Sequence, residues 1–320
     1  MSSSSSLRAA AALLFICNCL VAVSIATDLV KDVDIDEWGK EHVKVSEDGA
    51  SLSLSLDKDS GSGFQTKEEY LFSRFDVELK LSPGYSAGVV TTFYLSSLGT
   101  KHDEIDFEFL GNVTGEPITL HTNIYSQGEG LKEKTYNLWY DPSEEYHLYS
   151  VVWNLERIVF MVDDKPIRVH NNHEKDLNLP YPTKQPMRVY ASIWNGDDWA
   201  TKGGSVKINW QYAPYVAHYR NLNITEYEQG EDHPLTQEDK DYIEMVEEEH
   251  MIYNYCDAYE KEIVPECDIE LEMANGTGRQ SKAYACSCLL CVSCCAVPIR
   301  AVPTRAVPTR AVPCLRKKAQ

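Results

Sequence analysis

Apolar and polar residues alternate with period two over most of the chain. Leu52, Leu54 and Leu56 alternate with serines, and Phe75, Val77, Leu79 and Leu81 alternate with Arg74, Asp76, Glu78 and Lys80. Similar short β-rich runs follow at 89–95, 105–109, 118–124, 146–153, 157–162, 187–194 and 206–210. Between them stand turn formers: Ser82-Pro83-Gly84, Asp141-Pro142, Asp163-Asp164-Lys165-Pro166 and Gly203-Gly204. Period-two alternation with turns at this spacing predicts an all-β antiparallel sandwich or barrel. A helical signature comes late: Thr236-Gln237-Glu238-Asp239 after Pro234 reads as a capping box. Tyr242, Val246 and Glu249 share a face of that helix, a narrow apolar stripe that predicts a solvated surface helix rather than an acidic docking site.

Composition changes the picture at the two ends. Arg8 and the apolar run 9–26, closing on Ser24-Ile25-Ala26, predict a cleaved signal peptide over residues 1–26. Asn18, Cys17 and Cys19 weaken the alternative of a membrane anchor, and no basic stop-transfer cluster follows. Of the ten cysteines, two lie in this segment and the other eight lie from Cys256 onward. In an oxidising compartment the main domain therefore folds without disulfides. The last stretch carries Cys286, Cys288, Cys291, Cys294 and Cys295, then pentads beginning at Ala296, Ala301, Ala306 and Ala311. A proline in every pentad excludes helix and central strand, so 271–320 is expected to be a disordered tail. Zinc fits its cysteines poorly, with no histidine among them and an adjacent Cys294-Cys295 step. A net charge of −19 argues against nucleic acid or an anionic membrane surface as partner.

The candidate chemistry lies in His102-Asp103-Glu104-Ile105-Asp106-Phe107-Glu108-Phe109. On a strand, Glu104, Asp106 and Glu108 share one face, while Ile105, Phe107 and Phe109 share the other. Three carboxylates in a row repel each other and destabilise the strand. Ordinary outer faces mix acids with cations, as 74–80 does. A run without a cation suggests that the repulsion is used, and glycoside hydrolysis uses a carboxyl pair with one member protonated. Like-charge repulsion is expected to raise at least one of the three pKa values. Glu104 and Glu108 lie roughly 13 Å apart at Cα on a flat strand, so spacing alone leaves retaining and inverting outcomes open. Trp194-Asn195-Gly196-Asp197-Asp198-Trp199, followed by Gly203-Gly204, suggests a sugar platform in which indoles stack on pyranose faces. Core packing explains Trp194 about equally well.

These motifs come in a specific order with Asp48-Gly49, Gly61-Ser62-Gly63-Phe64, Ser86-Ala87-Gly88, His121-Thr122-Asn123, Leu138-Trp139-Tyr140-Asp141-Pro142, the segment from Val162 to Arg168, Gln185-Pro186-Met187, Ala213-Pro214 and Tyr253-Asn254-Tyr255-Cys256. Together they resemble the plant xyloglucan endotransglucosylase/hydrolases, a branch of glycoside hydrolase family sixteen, from about Trp38 to Cys267. The resemblance implies a curved antiparallel β-sandwich (a concanavalin-like jelly roll) over 27–220, a helix-containing C-terminal extension over 221–270, and a secreted monomer of the cell wall or apoplast. It implies Glu104 as nucleophile, Asp106 as its helper and Glu108 as general acid/base. Substrate contacts are expected from His121, Asn123, Lys132, Glu133, Trp194, Asp198, Trp199 and Gly203, with Trp194 on the donor side. A glycan on Asn112 and a disulfide between Cys256 and Cys267 are implied likewise, with no cofactor and no metal. The implied partners are xyloglucan donor and acceptor chains, and the implied reaction is transfer; hydrolysis and non-catalytic glucan binding are the alternatives. Only nine residues, 124–132, precede Glu133, and a short loop there favours transfer by the same resemblance.

Several positions depart from the family pattern. Lys132 stands where an arginine is usual, and the arginine usual between Cys256 and Cys267 is missing. Glu247, Glu248 and Glu249 replace basic residues before Tyr253. Acceptor contacts are therefore expected to be weaker than in relatives.

Overall fold

A computed structural model describes residues 29–227, 234–260 and 263–267. The expected signal peptide and the expected tail lie outside the described residues. The strands are β1 (Val33–Ile35), β2 (Val43–Val45), β3 (Ser51–Leu56), β4 (Ser62–Thr66) and β5 (Ser73–Lys80). Then come β6 (Val89–Ser96), β7 (Glu104–Leu110), β8 (Thr119–Tyr125), β9 (Lys134–Asn137) and β10 (His147–Trp153). The last five are β11 (Arg157–Val162), β12 (Lys165–Asn171), β13 (Arg188–Asn195), β14 (Tyr215–Glu226) and β15 (Met251–Asn254). The helices are α1 (Leu29–Asp32), α2 (Gln237–His250) and α3 (Tyr255–Ala258). Among the described residues, no helix is long and apolar enough to cross a membrane.

All pairings are antiparallel and form two sheets. One runs β1-β4-β13-β6-β7-β8-β9-β15, the other β12-β11-β10-β5-β14-β3-β2. The core lies between them, made by alternate residues of each strand: Leu52, Leu54 and Leu56 on β3, Phe75, Val77 and Leu79 on β5, Ile105, Phe107 and Phe109 on β7. Phe107 meets Tyr149 and Phe160 of the opposite sheet edge-on, at ring separations of 5.9 and 5.1 Å, and Phe109 meets Tyr149 at 4.7 Å. Each such pair adds about 0.5–1.5 kcal/mol beyond burial. The contacts clamp β7 from below, so its other face is presented on a rigid strand.

Three sequence expectations need correction. Residues 206–210 form no strand. There the Ile208 N–H donates to the Asp197 carboxylate (2.6 Å), and the Asn209 side chain caps a 3-10 turn at Trp210–Tyr212. Side chains satisfy the backbone that a neighbouring strand would otherwise have paired. The turn expected through Lys165-Pro166 is shorter: Asp163 and Asp164 alone make it, both at positive φ, and β12 starts at Lys165. Pro166 is tolerated because β12 is an edge strand. Helix α2 opens on the expected Thr236/Asp239 capping box, but it is not merely solvated: Val246 is fully buried against the core, with Tyr242 and Met245 beside it. Position 220 falls inside β14, and the segment beyond it returns to the first sheet as its edge strand β15.

Candidate active site

Alternation places Glu104, Asp106 and Glu108 on the outer face of β7, away from the core. Register puts Ser96, Tyr94 and Thr92 of β6 beside them on one flank, and Tyr125, Asn123 and His121 of β8 on the other. Asp106 is the most enclosed, 6% exposed, and its carboxyl is held well above the ordinary value of 3.8. Burial is the largest cause, followed by the charges of Glu104, Glu108 and Glu133, with Arg168 opposing. Burial also pushes the Glu104 carboxyl up, against the Ser96 hydroxyl and His102, with Glu108 adding to the rise. The sequence reading attributed such a rise to like charges; desolvation by the walls of the site is the larger effect. Glu108 accepts from or donates to Nδ1 of His121 at 3.0 Å, and His102 Nε2 stands 3.8 Å from Glu104.

The other residues singled out from sequence fall into two groups. His121, Trp194 and Trp199 come together around the carboxylates. The Trp199 ring lies 6.1 Å from the His121 ring and 6.2 Å from Trp194, and both indoles cover Val90, Leu110 and Ala200 on the outer face. Glu133 contributes electrostatically to Asp106, and one of its carboxylate oxygens is buried without a hydrogen-bond partner among the described residues.

The remaining residues are committed elsewhere. The Asn123 carbonyl oxygen accepts from the backbone of Ile124 (2.8 Å) and Lys132 (3.3 Å), so it holds the loop rather than reaching outward. The Lys132 ammonium lies 3.5 Å from Glu266, whose side chain is 2% exposed. Asp198 is exposed, and Gly203 sits in an exposed left-handed turn with nothing within 4 Å of where its Cβ would be. Asp197 is the acid that organises this loop, through Ile208. The Asn112 amide donates one hydrogen to the Pro117 carbonyl at 2.9 Å, leaving its other hydrogen replaceable. Cys256 and Cys267 are joined by a disulfide.

Sequence reasoning missed three supports. Thr201 Oγ1 accepts from the Gly88 amide (2.8 Å) and donates to the Gly111 carbonyl (2.7 Å), fastening the tryptophan loop to the ends of β6 and β7. Tyr94 and Tyr190 stack at 5.1 Å beside Asp106. Arg168 is fully buried, and its Nη1 donates to the Thr122 carbonyl (2.9 Å) and hydroxyl (2.7 Å). Its Nη2 donates to the Lys132 carbonyl. The guanidinium also lies over the rings of Phe160 and Tyr255. The period-two pattern of β6 held a signal for Tyr94; nothing local marks Arg168 or Thr201.

Comparison with known proteins agrees with this geometry. The profile of glycosyl hydrolases family 16 matches residues 31–212. An Arabidopsis thaliana protein named xyloglucan endotransglucosylase/hydrolase protein 24 is 51% identical over 235 residues, 72% of this chain and 86% of its own length. Xyloglucan endotransglucosylase/hydrolase 2 of Glycine max is 47% identical over 256 residues, 76% of this chain and 90% of its own. Among solved structures, a prokaryotic β-1,3-1,4-glucanase (lichenase) from a mouse hindgut metagenome superposes with a TM-score of 0.50 at 22% identity, over 61% of this chain and 92% of that one. That last likeness speaks to the jelly-roll fold, while the sequence matches speak to the family. The chain belongs to glycosyl hydrolases family 16, in its xyloglucan endotransglucosylase/hydrolase branch.

Proposed function

We propose that this protein is a retaining xyloglucan endotransglucosylase. The observation that carries the reading is the buried Asp106 between Glu104 and Glu108 on one rigid face, with no lysine or arginine among their cross-strand partners. Glu104 attacks the anomeric carbon as Glu108 protonates the departing sugar oxygen, giving a glycosyl-enzyme intermediate. Glu108, now a base, then takes the proton of an incoming acceptor hydroxyl, and the new glycosidic bond forms as the Glu104 ester breaks. His121 is within reach to orient Glu108 in either protonation state. Burial raises the Asp106 carboxyl, so beside Glu104 it is the neighbour that holds a proton more readily than an ordinary aspartate and, when it does, favours the separated carboxylate as the ester leaves.

Xyloglucan as donor and acceptor is inferred from the names of the relatives, and transfer over hydrolysis from the short loop before Glu133. Acceptor binding is expected to be weak for this branch, because Lys132 is engaged by Glu266. Trp194 lines the donor side, Trp199 adds a substrate contact, and Asn112 carries a glycan. Residues 1–26 direct secretion to the wall, and 275–320 are dispensable for catalysis. The disulfide is consistent with an oxidising compartment. The deciding experiment compares labelled transfer product with new reducing ends as a labelled xyloglucan oligosaccharide acceptor is raised. A ratio rising with acceptor supports transfer, and a ratio near zero at saturation makes the protein a hydrolase.

A further inference from the structure

Register across the first sheet lays out a path that no single segment of sequence shows. Glu108 faces Thr92 on β6, Thr92 faces Ser192 on β13, and Ser192 faces Gly63 on β4. Asp36, just past β1, donates its backbone N–H to the Gly63 carbonyl at 3.1 Å. These are small residues on the outer face, and Thr92 and Ser192 join their hydroxyls at 2.8 Å. The stacked Tyr94 and Tyr190 stand along one side of the row. Trp194, one register step along β13 on the same face, stands along the other. The result is a trough running across the strands from Glu108 towards the β1 edge.

The trough ends on a built feature. The Trp38 indole is 39% exposed, and its Nε1 donates to Asp36 Oδ2 at 3.1 Å, which fixes the ring. Both side chains fold over Gly63. A Cβ there would lie 2.6 Å from Asp36 Oδ2, 2.9 Å from the Ala191 carbonyl of β13 and 3.2 Å from the indole, so glycine lets the neighbouring strand as well as the two side chains close down here. Burial raises the Asp36 carboxyl. Nearby, the Tyr190 hydroxyl is buried with no hydrogen-bond partner among the described residues, although Tyr190 is only 7% exposed. An exposed, oriented indole beside a carboxylate with a free oxygen matches the two faces of a pyranose, apolar C–H surface and hydroxyl rim.

We propose that Trp38 and Asp36 form a distal subsite that binds a backbone glucosyl unit at the far donor end of the glucan. The inference rests on the donor assignment of the trough given above. The subsite lies four strands from β7, on the order of 19 Å at ~4.8 Å per strand, so only donors several sugars long reach it. Its contribution is therefore a step in affinity with donor length.

The test is a ladder of aryl glycosides of β-1,4-gluco-oligosaccharides, lengthened one backbone unit at a time so that the aryl group marks the cleavage point. Wild-type kcat/KM is expected to rise roughly tenfold at the unit that reaches Trp38. Trp38→Ala is expected to erase that step. A step that persists in a folded Trp38→Ala protein, with only its melting temperature lowered, would make Trp38 a structural lid and overturn the subsite. Calorimetry of the same oligosaccharides without the aryl group, on Glu104→Gln with and without Trp38→Ala, reads the affinity step without turnover. Absence of turnover by wild type on xyloglucan itself would remove the catalytic reading, while absence of the length step, in turnover or in calorimetry, would remove the subsite.

Discussion

Strands β5 and β7 bury the same kind of residue on their inner faces and differ on their outer ones. On β5 each acid has a partner. Asp76 takes Arg74 at 2.8 Å and the Ser150 hydroxyl, and Glu78 takes Arg220 at 2.6 Å and the Asn221 amide at 2.7 Å. Arg220 in turn lies 3.9 Å over the Tyr146 ring. On β7 the acids have each other, two histidines and a hydroxyl, and the carboxyls of Glu104 and Asp106 are raised. Nothing in the alternation of β7 required this; cross-strand cations would have relieved it as they do on β5. A face that keeps unfavourable charge where relief is structurally available is a face under a different constraint, and in the function proposed above that constraint is catalysis.

The sharpest way to break the comparison is to remove a β7 acid and ask whether stability or turnover falls. Glu104→Gln is expected to lower kcat on the order of 10³-fold or more, since the other two carboxyls on that face are the enclosed Asp106 and Glu108, which is needed as the acid. Its melting temperature is expected to stay level or rise. Glu108→Gln should be similarly crippled with xyloglucan, yet partly active on aryl glycosides whose leaving group needs no proton. Wild-type turnover by a folded Glu104→Gln protein would overturn the assignment.

Asp106→Asn separates the two effects. The folded-state pKa of Asp106 is raised above the ordinary 3.8, so the folded protein binds this proton more tightly than the unfolded chain does. Below 3.8 the group is neutral in both states and imposes no penalty. As pH rises from there to its folded pKa, stability is lost. The amide of the substituted side chain never ionises, so the variant is expected to gain in melting temperature relative to wild type as pH climbs through that window, and to match it at the acid end. Turnover is expected to fall by about 10²-fold, in the range of lost acid–base or positioning help. Melting curves across pH that run parallel for the two proteins would contradict the buried-charge account.

The parts of this site that sequence revealed are those carried by local period. Glu104, Asp106 and Glu108 share a face because alternate residues of any strand do, and α2 began where Thr236 and Asp239 could cap it. The parts it hid depend on register or long closure. Lys132 and Glu266 meet across the disulfide-bearing extension, Arg168 reaches Thr122 from the opposite sheet, and Asp36 lies across four strands from Glu108. Residues 206–210 alternated as a strand does, but Asp197 and Asn209 claimed their backbone donors first. Even the carboxylate strand was read with its causes in the wrong order, because the walls that bury Asp106 come from other strands.

Glu266 offers a third arrangement, an acid more buried than Glu104 but neutralised by one lysine. Glu266→Gln would leave Lys132 without its charge partner in a largely enclosed place. Breaking such a pair from one side costs about 3 kcal/mol, at the low end because Lys132 keeps some access to water. Chemical denaturation should show that loss without the pH-dependent gain expected for Asp106→Asn. No loss of stability would mean that the pair is incidental.

The smallest effect is expected on β5, and it closes the comparison. Glu78 and Arg220 are both partly exposed, with side-chain exposures of 26% and 44%, so water and salt already screen their attraction. Glu78→Gln keeps the length of the side chain and much of its hydrogen bonding to Asn221. The loss should be below about 1 kcal/mol and should shrink as salt is added, as for other exposed pairs. Transfer activity should not change, because β5 lies in the sheet opposite the trough and reaches β7 only through the core. A change in kcat comparable to that of Asp106→Asn would show that charge on the far sheet matters to the site, and the contrast between neutralised and un-neutralised strands would then lose its functional meaning.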